Sequence, residues 1–140
     1  MRYWDASALV PLCVEETRST AFLALVREKP IVTWAMSMVE VASAIERRTR
    51  DGNLDIDGRE RAMELLRELS LGWIEITSLD AVRDRALRIL ATHPLRAADA
   101  LQLAAALFAA ADRPAGNEFV CSDEKLRDAA RREGFRVLPS

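Results

Sequence analysis

A chain of 140 residues carrying 22 acidic and 20 basic side chains suits one domain and leaves no length for a second. Its composition, half hydrophobic and 30% charged, is that of a globular protein able to bury a core without disulfides or a structural metal. A net charge of −2 argues against a protein that coats nucleic acid through a basic surface. It leaves room for an enzyme that grips a few phosphates with a metal ion supplying positive charge locally.

Short apolar runs alternate with longer helical patterns along the chain. Residues 2–4 form the first predicted strand, closed by Asp5. Residues 7–14 and 19–27 read as short helices with Ser or Thr at their starts. The β-branched and aromatic run 31–34, after Pro30, is a second strand. A helix follows over 37–50 and ends in charges before the turn Asp51-Gly52-Asn53. Residues 57–69 form an amphipathic helix with Ala62, Leu65, Leu66 and Leu69 on one face, and 73–76 a third strand. Helices over 79–91 and 96–111 flank Pro94. The pattern closes with a strand at 118–121, a helix at 124–132 and a short strand at 136–138. This alternation predicts an α/β fold: a three-layer α/β/α sandwich around a central, mostly parallel sheet of about five strands.

Cys13 and Cys121 stand far apart in apolar settings, without a CxxC pair, and read as buried free thiols suited to a reducing cytoplasm. The N-terminus meets a charge at Asp5 and lacks the form of a signal peptide. The longest apolar stretch, LQLAAALFAAA, is too short to span a bilayer, so no membrane association is expected. Trp4, Trp34 and Trp73 lie on or beside strand candidates and read as core rather than base-stacking platforms. His93 is the sole histidine, which excludes His-rich metal sites and any mechanism needing two.

In an open parallel sheet, ligands bind outside the carboxyl ends of the strands. Asp5 closes the first strand, Ser37 and Glu40 open the helix after the second, and Asp123 follows the fourth. Each has a plainer reading. Asp5 fits an N-cap, Ser37-Met-Val-Glu40 fits a capping box, and Ser122-Asp123 fits another cap. Asp99 differs, because it shares a helix face with Leu95, Leu103, Ala106 and Ala110. A carboxylate there is costly unless it is paired, with Arg96 for example, or bound to a metal. Converging carboxylates repel and call for a cation, and an all-oxygen set selects magnesium, with manganese as its substitute.

These residues resemble those of a known family. Asp5-Ala-Ser-Ala-Leu looks like the opening DxSAL of PIN domains. Glu40 after Ser37, Ala98-Asp99-Ala100-Leu101 before an Ala-rich helix, and Ser122-Asp123 before the last helix resemble its other blocks. Order, spacing and length match the VapC-like toxins of type II toxin–antitoxin modules, and the resemblance covers residues 1–140 as a single PIN domain. It implies a magnesium-dependent endoribonuclease whose acids Asp5, Glu40 and Asp99, with a more peripheral Asp123, hold the metal. Ser7 and Ser122 would be hydroxyls that orient those acids or waters; Arg96, by its place near the site rather than by the resemblance, reads as a contact for phosphate or antitoxin. It further implies a cytoplasmic homodimer, silenced by a cognate antitoxin. Metal-activated water would hydrolyse RNA, leaving a 5′-phosphate and a 3′-hydroxyl.

Three rivals remain in view. A haloacid-dehalogenase-type phosphatase needs a second Asp where Ser7 stands. A receiver domain needs an acidic pair at the first strand and an Asp ending a central one, which Ile74-Glu75-Ile76-Thr77 does not offer. A catalytically silent PIN-like module that only binds a partner is the third.

Overall fold

The computed structural model describes residues 1–140. Strand β1 (Arg2–Trp4) is followed by helices α1 (Ala6–Cys13) and α2 (Ser19–Val26) and by strand β2 (Val32–Trp34). Helices α3 (Ser37–Arg50) and α4 (Ile56–Gly72) lead to β3 (Ile74–Ile76). Helices α5 (Leu79–Thr92) and α6 (Ala97–Ala109) lead to β4 (Glu118–Val120), then α7 (Glu124–Glu133) and β5 (Arg136–Leu138) close the fold.

All five strands are parallel, in the order β3-β2-β1-β4-β5. Strand side chains alternate between two apolar clusters, as the period of two demands. Tyr3, Val32, Trp34, Phe119 and Val137 face α5, α6 and α7, whereas Trp4, Val120 and Leu138 face α1 to α4. The predicted three-layer α/β sandwich is the observed one. Within the first layer, Phe119 stacks on Tyr3 at 5.4 Å and packs against Phe135 at 5.7 Å. The three tryptophans are core residues, and both cysteines are buried free thiols. No helix is long and apolar enough to cross a membrane.

Differences from the predicted elements lie at their ends. Helix α4 starts before Asp57, because Asp55 caps it through the Gly58 amide at 2.7 Å. It runs on to Gly72, past the last residue of its apolar stripe. Helix α6 stops at Ala109, where Ala111 and Asp112 turn left-handed at φ 53° and 58° and Arg85 grips Asp112 at 2.6 Å.

The strand order reverses between β1 and β4: the chain adds β2 and β3 on one side of β1, then crosses to place β4 on the other. That reversal opens a crevice at the carboxyl edge of the sheet, directly above β1 and β4.

Candidate acidic cleft

Asp5, Glu40, Asp99 and Asp123 line one cleft at that edge, about 200 Å³ in volume, together with Ala6, Ser7, Val10 and Ala44. Asp5 follows β1, Asp123 follows β4, Glu40 stands in the first turn of α3 and Asp99 in the first turn of α6. Residues far apart in the chain meet because a parallel sheet sends the end of every strand to the same edge. Larger hollows lie elsewhere, including one of about 530 Å³ beside α1, α2 and α4, but none gathers these acids.

Asp5 is buried, and its carboxylate accepts the Ser7 hydroxyl and the Ser7 amide, the latter at 3.1 Å. It therefore does cap α1, while facing the cleft as well. Burial pushes its carboxyl up to about 6, the Ser7 bonds oppose the rise and the Asp99 charge adds to it. Burial lifts Glu40 to about 7 against the bond from Gln102, with Asp5 and Asp99 contributing. Asp99 is raised by burial and by Asp123, with Arg96 pulling the other way. Asp123 is exposed and caps α7 through the Leu126 amide at 2.9 Å. None of the four forms an ion pair: the molecule's salt bridges all engage other acids.

The supporting residues divide. Ser7 bridges the site, since its hydroxyl donates to Asp5 and accepts the Ser122 amide at 3.1 Å. Ser122 returns a bond from its hydroxyl to the Ser7 carbonyl at 3.2 Å and touches no carboxylate. That carbonyl is free because Pro11, one helical turn on, has no N–H to give it. Ser37 makes no capping box with Glu40: its hydroxyl meets Thr33 at 2.6 Å and Gln102 at 3.0 Å. Arg96 is the exposed N-cap residue of α6, forms no ion pair with Asp99 and makes no capping bond.

Two neighbours escape a reading by pattern. Cys121, buried beneath the cleft, sits 3.6 Å from the Asp5 carboxylate and accepts the Asp123 amide at 3.3 Å. Gln102, fully buried, donates to the Glu40 carboxylate. Gln102, three residues after Asp99, is likewise a polar group in an apolar helical run and so likewise needs a partner.

The cleft offers carboxylate and hydroxyl oxygens to a cation and no imidazole; burial raises the Cys121 thiol well above its usual range and keeps it protonated. No group of three or more His, Cys, Asp or Glu side chains is drawn in tightly enough to hold an ion. A family model described as PIN domain matches residues 2–132. A comparison with curated proteins gives no match.

Proposed function

The chain belongs to the PIN-domain family, and on that basis we propose that it is a magnesium-dependent endoribonuclease serving as the toxin of a toxin–antitoxin module. PIN domains are in general nucleases, so a nucleic acid is the substrate of the family at large. The observation that carries the finer reading is the cleft itself, where buried Asp5 and half-buried Glu40 stand with Asp99 and Asp123 and no side-chain cation pairs with any of them. Such a cluster is costly to maintain without purpose, since each charge raises the cost of the next.

The donor set fits a hard divalent ion. Magnesium keeps several waters and takes only one or two carboxylates directly, which agrees with acids that share a cleft without closing on a single point. Asp5, Glu40 and Asp99 would hold it, one or two of them directly and the rest through its waters, with Asp123 farther out. When bound, the ion supplies positive charge to the phosphodiester and makes water acidic enough to attack near neutral pH. The chain's own part is orientation. Ser7 fixes Asp5, Gln102 fixes Glu40, and the first turn of α6 carries Asp99 to the cleft. Arg96, exposed and unpaired beside Asp99, would meet a phosphate of the substrate. The products would be a 5′-phosphate and a 3′-hydroxyl.

The whole chain is read as one such domain, working as a cytoplasmic homodimer and silenced by an antitoxin. Leu79, Leu87 and Leu90, exposed along α5, are apolar side chains that a partner could cover. The test is cleavage of a structured RNA with magnesium, with and without a chelator. Wild type should cut only with the ion, and Asp99→Asn should lose about a hundredfold or more of that rate while folding normally. Induced synthesis should arrest growth for wild type and not for Asp99→Asn. An Asp99→Asn protein as active as wild type overturns the site, and an inert wild type leaves the silent partner-binding module.

A further inference from the structure

Beneath the cleft a line of polar side chains runs through a core that is otherwise apolar. Gln102 lies at its centre, with no exposed surface, and a carboxamide is costly there unless every donor and acceptor is met. All of them are. Tyr3 Oη donates to Gln102 Oε1 at 2.6 Å, and Gln102 Nε2 donates to Ser37 Oγ at 3.0 Å and to Glu40 Oε2. Thr33 Oγ1 spends its one hydrogen on the Trp4 carbonyl at 2.7 Å, so Ser37 donates to Thr33 at 2.6 Å.

That sequence of donors leaves one arrangement of the amide. The Tyr3 proton fixes the carboxamide oxygen on its side, Ser37 takes one amide hydrogen, and the other has only Glu40 to meet. Glu40 thus has one oxygen engaged from below and the other left for the cleft. An apolar side chain of the same length at position 102 would fill the core with no such requirement.

We propose that Gln102 is a positioning residue that occupies one oxygen of Glu40, makes it a one-oxygen ligand, and so tunes the cleft toward magnesium and manganese over calcium. The proposal rests on the reading of the cleft as a divalent-ion site. Its physical basis is the difference in coordination. Magnesium-sized ions want few ligands in near-octahedral order, whereas calcium accepts carboxylates through both oxygens and takes six to eight donors. Releasing the second oxygen of Glu40 would loosen the first demand and serve the second.

The experiment measures manganese binding through loss of the free-ion paramagnetic resonance signal, and calcium binding by competition, well below the melting temperature. Gln102→Met removes the amide at nearly constant volume; Tyr3→Phe removes only the proton that orients it. Gln102→Met should weaken manganese binding about tenfold, the usual scale for a partner behind a metal ligand, and narrow the manganese-over-calcium preference. Tyr3→Phe should shift both in the same direction by less, and decides the matter should Gln102→Met fail to fold. A merely structural Gln102 would lower the melting temperature and leave that preference where it was. Wild type that binds manganese, with both variants keeping the same preference, overturns this inference and spares the nuclease reading. Wild type that binds no manganese overturns both.

Discussion

Glu118 and Asp5 stand at opposite ends of the neighbouring strands β4 and β1 and meet opposite environments. At the amino edge, Arg2 lies 2.5 Å and Lys29 3.3 Å from Glu118, and the Arg2 bond holds its carboxyl below the usual range. At the carboxyl edge, Asp5 and Glu40 have hydroxyls and an amide but no cation, and burial drives both upward. A carboxyl whose pKa is higher folded than unfolded takes up a proton on folding. Its protonated form favours the fold at low pH, and that advantage is lost as pH rises through the folded value. In a chelator, the melting temperature should therefore fall between about pH 4 and pH 7, from the ordinary carboxyl values of the unfolded chain to the folded values of about 6 and 7. Glu40→Gln should flatten that fall and raise the melting temperature at pH 8 by a few degrees. Thermal melts of the two proteins across this range decide it; a wild-type profile that rises toward pH 8 would contradict the burial argument.

Among the elements, the helix starts do most to build the cleft, and they were also the most legible part of the site. Asp5 and Asp123 are capping residues at the ends of β1 and β4, so strand-then-acid spacing located them. Glu40 was located for the same reason, although its suggested capping box does not exist. Gln102 carries the same signal as Asp99, a polar residue in an apolar helical run, but periodicity says nothing of which tyrosine, serine and glutamate wait beneath that face. The clasp between α1 and the β4–α7 turn was hidden too, since it depends on a carbonyl that Pro11 leaves unbonded and that only Ser122 reaches. Ser122→Ala should cost about 1 kcal/mol in urea unfolding and speed amide exchange at Ser122 and Asp123. In a Pro11→Ala background the cost should shrink, because the restored helical N–H takes over the Ser7 carbonyl. Equal costs in both backgrounds would show that the clasp is not what holds the turn.

For the whole molecule, topology is the cause and the acidic cleft its consequence. A parallel sheet in the order β3-β2-β1-β4-β5 cannot avoid a crevice between β1 and β4, and two acids follow those very strands. The alternation of short strands and helices made that architecture readable from the chain, because buried parallel strands need crossovers of helical length. Strand order itself was not readable, since nothing local to a three-residue strand names its neighbours. The proposed function requires Asp5, Glu40, Asp99 and Asp123 to share one divalent metal ion or two neighbouring ones. Crystals soaked in manganese and measured at its absorption edge test it directly. Anomalous density should appear in the cleft bordered by Asp5, Glu40 and Asp99, with Asp123 farther out. Density confined to other surface acids, with the cleft holding water alone, would contradict it.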